Sequence, residues 1–292
     1  VSRTHIVPIS HSQDTAGPMT TTVTDAAKVL TIIAGSDPAD PATKEADARK
    51  TDYAAGLSKD ALKGVTLAVA RFYTGYSPKT DAVFEQALKD LQAQGATLVE
   101  VKTFDEGPIG KAEGLVLYTE LKADLATYLA STDPKKVPAR TLADLIAFNK
   151  ATPKEFEWFG QETFEKAEKT KGLNDPDYLK ALADSKRLAG PEGIDKILRE
   201  AGAVAMVAPT TGPAWTIDPL NGDNYGGSST TLPAVAGYPH LTVPMGNVTG
   251  LPVGLSFIGP AWSEKLLLNL GYAYEQATLH RKAPKFLETV AP

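Results

Sequence analysis

Residues 64–101 constrain the fold more than any other stretch. "GVTLAVARF" (64–72) is rich in β-branched residues and reads as a strand. In the following "DAVFEQALKDLQAQG", apolar side chains fall at Val83, Phe84, Ala87, Leu88 and Leu91, the spacing of one helix face, and Gly95 supplies the stop. "ATLVEV" (96–101) then returns as a strand. A strand, a helix and a strand in this order form a right-handed crossover between parallel neighbours, which places the chain in the α/β class.

The remaining pattern extends that class. Thr22 precedes "VTDAAKVLTIIAG" as a hydroxyl N-cap, and Asp25 sits in the first turn. The polar, proline-punctuated stretch after Gly35 reads as a surface loop. From about 106 to 202 the sequence is mostly helical, including "AEGLVLYTELKADLATYLA", "TLADLIAFNKA", "KEFEWFGQETFEKAEKT" and "DYLKALADSKRLAGPEGIDKILREAG". Such a block is either a subdomain or lid, or the outer helical layer of one sandwich. "AVAMVAP" (203–209) reads as a short buried strand, while "HLTVPMG" and "LPVGLSFIG" form a hairpin through "NVTG". "SEKLLLNLGYAYEQA" closes as an amphipathic helix capped by Ser263.

Composition excludes several functions. The 292 residues are 42% hydrophobic and carry a formal net charge of -5, with pI near 5.5. A sizeable core can be buried, and the net charge and pI leave no basic footprint for a nucleic-acid partner. No apolar run reaches the ~18 residues of a membrane span, and no secretory leader pattern opens the chain. The expectation is a soluble protein, with cytoplasm and periplasm both open. Cysteine is absent, so disulfide and thiolate chemistry are excluded. The four histidines have no carboxylates clustered beside them in sequence, so no metal site is expected. The chain begins at Val1 in what reads as a strand, which suggests a processed or truncated fragment, or one chain of a nicked enzyme.

"SHSQDTAGPM" (10–19) gathers the side-chain types of a hydrolase triad. The preceding "HIVPI" reads as an extended strand, so Ser10, Ser12 and Asp14 would share one face and His11 the other. A working triad is gathered from separate elements. The favoured reading is therefore a strand entering a turn at Thr15–Pro18.

Beyond this local reading, "VSRTHIVPISHSQDTAGPMTTTVTDAAKVLTIIAG" resembles the stretch of amidase signature enzymes that follows their glycine- and serine-rich catalytic core. The resemblance continues through "FGQE", "RLAGPEGID", "APTTGPAW", "AVAGYPHLTVPMG", "GLPVGLSFIGPAWSE" and "YAYEQ". Within that family the set is most similar to bacterial peptide amidases, which hydrolyse C-terminal peptide amides to the acid and ammonia. The resemblance implies one α/β/α sandwich with a mixed sheet over residues 1–292, a largely helical insertion at about 106–202, and a sheet left incomplete by an absent N-terminal segment. It also implies a Ser–cis-Ser–Lys triad and no metal or organic cofactor. The family's lysine and both serines lie upstream of "VSR", so no catalytic residue is carried onto this sequence. An N-terminal segment, as a second chain or a missing part, is the expected partner beside a small-molecule or peptide amide substrate.

The resemblance also suggests roles for residues that are present. Trp215 and Tyr238 follow predicted strand ends, where α/β folds place ligand loops, and are candidate substrate contacts. Phe159 and Gln161 are candidates from the helical block. Phe156, Trp158 and Phe159 would wall a pocket or, preferably, form a helix face packed on the core. Asp14, Thr15 and Gly17 would orient the glycine-rich loop, or only satisfy their own turn. Arg3 would meet a carboxylate of the absent segment, or solvent. Gly226-Gly227-Ser228 imitates the family's nucleophile motif but continues as Ser229-Thr230-Thr231-Leu232, which departs from it; Ser228 is read as a loop or cap residue. His11, His240 and His280 have no partner in sequence that would make them bases. A non-catalytic ligand-binding or regulatory α/β protein is the alternative.

Overall fold

The computed structural model describes residues 1–286. Its chain runs α1 (Val23–Ile33), α2 (Ala46–Arg49), β1 (Thr66–Ala70), α3 (Pro78–Ala93), β2 (Thr97–Val101), α4 (Gly107–Ala130), α5 (Leu142–Ala151), α6 (Glu162–Glu168), α7 (Pro176–Ala189) and α8 (Asp195–Ala201). It then continues through β3 (Ala205–Pro209), α9 (Thr231–Ala236), β4 (His240–Val248), β5 (Leu251–Ile258) and α10 (Glu264–Thr278). The five strands form one sheet in the order β2-β1-β3-β5-β4. β2, β1 and β3 are parallel, whereas β5 and β4 run antiparallel to their neighbours, so the sheet is mixed.

Strand alternation gives the sheet two apolar faces. Leu67, Val69, Val207, Leu255 and Phe257 face one core with Phe84 and Leu88 of α3 and Leu270 and Tyr274 of α10. Ala68, Ala70, Met206, Ala208 and Ile258 face the other, with Ile194, Leu198, Leu232 and Ile109. This is a helix–sheet–helix sandwich. The helical block also has small apolar clusters of its own: Leu121, Leu125, Leu129 and Leu142 in one, Val116, Tyr178 and Ala181 in another. Its two ends nevertheless belong to the sandwich, because Ile109 at the start of α4 and Ile197 of α8 lie in the second sheet core.

Local signals placed several element ends. Thr22 accepts from the Asp25 N–H, Ser77 from the Thr80 N–H, and Thr141 with Asp144 forms a reciprocal capping box on α5. The β4–β5 turn uses Thr249 at φ 48° and Gly250 at φ 87°, both left-handed, as a two-residue hairpin connection requires.

Three expectations fail. "HIVPI" forms no strand: His5 turns the chain at φ 69°, and the Ile9 and Ser10 N–H groups donate to the Asp14 carboxylate instead of a ladder. "KEFEWFGQE" is not a continuous helix, because it breaks between a short 3₁₀ turn at Pro153–Phe156 and α6. Ser263 makes no side-chain cap; its hydroxyl donates to the Pro260 carbonyl at 2.7 Å.

A polar seam crosses the sheet. Thr210, just past β3, meets the Thr242 hydroxyl at 2.7 Å and that of Ser256 at 2.8 Å, across Gly254. A Cβ on Gly254 would lie 2.8 Å from the Thr210 hydroxyl and would also clash with that of Thr242. Gly254→Ala is expected to destabilise the protein by about 1–3 kcal/mol through overpacking. Gly110 of α4 has open space around an added Cβ, and Gly110→Ala should be neutral or stabilise by about 0.5–1 kcal/mol. Urea unfolding midpoints of the two variants check both signs.

Candidate functional site

β1, β2 and β3 are parallel, so their C-terminal ends lie along one edge and their following loops converge there. In open α/β sheets this is the edge that holds ligands. The β1 loop supplies Phe72, Tyr73 and Tyr76, the β2 loop supplies Phe104 and Glu106, and the long β3 loop carries Trp215, Tyr225 and Ser228.

Two aromatic groups organise this edge. Phe72 packs on Tyr73 at 4.5 Å and on Phe104 at 5.6 Å between ring centroids. The buried Tyr73 hydroxyl donates to the Glu106 carboxylate. Burial pushes the Glu106 carboxyl above its ordinary range, and burial together with the charge of Glu106 raises Glu113. In the second group, Trp215 meets Tyr225 edge-on at 6.3 Å, and its indole N–H donates to Asp223 at 3.2 Å. Trp215 is 39% exposed, which leaves ring surface open to solvent.

Tyr76 explains the glycine pair that imitates a nucleophile motif. A Cβ on Gly226 or Gly227 would lie 3.0 or 2.9 Å from its ring. The glycines let the β3 loop lie flat against that ring. Burial raises the Tyr76 phenol to about 12, and its oxygen has no partner among the described residues. Ser228 itself accepts from the Tyr225 hydroxyl at 2.8 Å and meets Thr230 at 2.9 Å. It lies in the loop ahead of α9, as expected, and no lysine or histidine hydrogen-bonds to it among the described residues.

The other sequence candidates are scattered. Tyr238 donates to Asp195 at 2.8 Å, and burial first and that carboxylate second raise its phenol to about 12. It ties the end of α9 to α8. Gln161 accepts from Asn149 at 3.1 Å inside the helical block. Phe156, Trp158 and Phe159 are not packed on a core: they are 38%, 63% and 76% exposed, because the helix expected to bury them is broken. Asp14 satisfies its own turn, whereas Thr15 and Gly17 are exposed. Arg3 finds its carboxylate within the chain, holding Asp40 through its backbone N–H at 2.8 Å and its guanidinium at 2.6 and 2.9 Å.

The opening motif differs most from expectation. A turn in which Ser10 C=O accepts from the Gln13 and Asp14 N–H groups replaces the strand. Ser10, His11 and Ser12 therefore all reach α4. Both serine hydroxyls donate to the wholly buried Glu120, Ser12 at 2.8 Å, and Tyr178 donates to its other oxygen at 2.8 Å. His11 Nδ1 meets Asp124 at 2.9 Å. Two carboxylates thus gather beside a histidine, contrary to the sequence expectation, with possible ligand atoms within 4.8 Å of one another. The Glu120 oxygens are already filled with donors, as in a hydrogen-bonded anchor. The signal in sequence was the i, i+4 pair Glu120 and Asp124 on a helix.

His240 and His280 also have partners. His240 Nε2 lies 2.5 Å from the Ser256 hydroxyl, and burial lowers its imidazole to about 4, so it is neutral. Ser256 is wholly buried and shares its hydroxyl with Thr210 and Ser229, so the pair belongs to the polar seam. His280 meets Asp90 at 3.2 Å. Among the described residues no helix is long and apolar enough to cross a membrane.

Known proteins place this architecture. A family model described as Amidase matches residues 1–268. Native peptide amidase from Stenotrophomonas maltophilia is 47% identical and superposes with a TM-score of 0.89, over 99% of this chain and 58% of that one. A peptide amidase in complex with the competitive inhibitor chymostatin, also 47% identical, gives 0.91 over 98% and 58%. A probable amidase from Arabidopsis thaliana is 34% identical over 296 residues, 98% of this chain and 52% of that protein. The chain thus spans somewhat over half the length of these relatives. Family match, sequence identity and superposed fold agree with the motifs from "SQDTAGPM" to "GLPVGL": the chain belongs to the amidase family, among the amidase signature enzymes.

Proposed function

We propose that this chain is the C-terminal portion of one amidase domain that cleaves carboxamides, and C-terminal peptide amides in particular, to the acid and ammonia. The observation that carries this reading is 47% identity to a peptide amidase across 99% of the chain. The family's mechanism supplies the steps. A lysine, acting through a bridging serine, takes the proton of the nucleophilic serine; the serine oxygen adds to the amide carbonyl; and backbone N–H groups hold the oxyanion. Ammonia leaves with a proton, and water releases the acid from the acyl-enzyme.

In this proposal the three catalytic side chains come from a segment N-terminal to Val1, either continuous with this chain or a second chain. Two surfaces support it. β4 is an edge strand of the sheet. A cleft of about 620 Å³ runs beside it, lined by residues that include Met19, Val23, Val243 and Pro244. Val7, Ile9 and Met19 nearby in sequence are exposed, Met19 almost completely. An unpaired edge beside apolar surface is what a further piece of sheet would cover.

The present chain then contributes substrate walls. Trp215 and Tyr225 present aromatic surface at the strand-end edge, suited to loose contact with peptide side chains. Asp14 and its turn shape the approach of the preceding segment.

Two measurements test this reading. Ammonia release from a peptide amide should be absent with the purified chain alone and restored by co-expressing the N-terminal segment that full-length relatives carry; serine-dependent turnover by the chain alone, lost in Ser228→Ala, overturns it. In the completed enzyme, Trp215→Ala should raise KM roughly tenfold for amides with bulky side chains and spare small amides. An equal loss for both classes marks Trp215 as a packing residue.

A further inference from the structure

The opening loop is fastened to the helical block by charge, and the fastening contains a histidine. His11 donates its backbone N–H to Asp124 at 2.7 Å and places Nδ1 at 2.9 Å from the same carboxylate. Its Nε2 lies 3.5 Å from Glu120. Behind it, Glu120 Oε2 accepts from the Ser10 and Ser12 hydroxyls and the Ser12 N–H, while Oε1 accepts from Tyr178 of α7. One imidazole therefore stands between two carboxylates of α4, and one of them is wholly buried.

We propose that His11, Asp124 and Glu120 form a proton-dependent latch that seats the Ser10–Gly17 turn against α4 and α7. The imidazolium offsets the two adjacent negative charges; loss of its proton leaves them uncompensated, with only neutral donors of the turn reaching the carboxylates of α4. This inference goes beyond the amidase reading and does not need it.

The surrounding charges fix the direction. The hydrogen bond to Asp124 raises the His11 imidazole above its ordinary value; burial opposes this, and the charges of Asp124 and Glu120 add to it. Arg3, whose guanidinium donates to the His11 carbonyl, opposes protonation. Arg3 is paired with Asp40, and that pair stays charged through the relevant range because Arg3 is raised and Asp40 is held far below it. Asp14 is the remaining charge on the loop, and Tyr178, itself raised, is the titratable group facing Glu120 from α7. A raised histidine contributes its hold fully below the unperturbed imidazole pKa and loses it as pH rises through the folded value. The latch is closed below the ordinary histidine pKa and opens as pH rises through the raised value.

Hydrogen exchange on the full chain reads this directly. After correction for intrinsic exchange, protection of the Ile9–Asp14 amides should fall about threefold or more between about pH 6 and about pH 9, while β3 amides stay unchanged. Ring NMR of His11 should give a midpoint above the ordinary histidine value, and Asp124→Asn should lower it and flatten the pH dependence of protection. Glu120→Gln removes a buried anchor and risks the fold, so the partly exposed Asp124 and the exposed His11 carry the test. Protection that is flat with pH in the wild type, or an unchanged pH dependence in His11→Gln, overturns the latch.

Discussion

The burial of β3 is the constraint on which the rest of the structure depends. All five of its residues are buried, and it pairs in parallel with β1 on one side and antiparallel with β5 on the other. It is the strand at which the sheet changes direction. Short side chains make this possible: Ala205 and Ala208 let helices approach both faces, while Met206 and Val207 fill one core each. A strand covered on both faces reads as a continuous apolar run, as "AVAMVA" does. Because β1 and β2 run in the same sense, their exits and the exit of β3 share an edge, and three loops of very different length meet there.

Backbone packing and aromatic rings shape those loops more than hydrogen bonds do. The β3 loop lies flat on Tyr76 because Gly226 and Gly227 lack a Cβ at the contact. Thr211 then pins it through the Gly227 carbonyl at 3.0 Å. Polar groups inside the molecule follow a different logic. The Thr210–Ser256–Ser229 seam and the donors around Glu120 satisfy one another within buried space, since an unpaired polar group there costs about 1–3 kcal/mol. The two networks sit on different elements. One fastens the sheet beyond β3, and the other fastens the opening loop to the helical block.

What the sequence determined by itself was the local grammar. The i, i+3, i+4 spacing of α3, the Thr22 cap, the run of β3 and the hairpin connection at "NVTG" are all short-range facts, and the fold obeys them, although the turn closes more tightly, on Thr249 and Gly250 alone. The family was legible too, because its motifs lie contiguous in the chain. Tertiary structure decided everything that depends on residues far apart. An extended pentapeptide becomes a strand only if a neighbour takes its hydrogen bonds; in "HIVPI" the Ile6 N–H turns back to the Arg3 carbonyl and the Ile9 N–H goes to Asp14 instead. Ser10 and Glu120 are 110 positions apart, so no window of sequence could join them. Trp215 kept its place on a strand-end loop, while Tyr238, chosen by the same rule, was drawn away to Asp195. Strand exits fix where a loop begins; which way its side chains then turn is set by partners brought close only when the chain has folded.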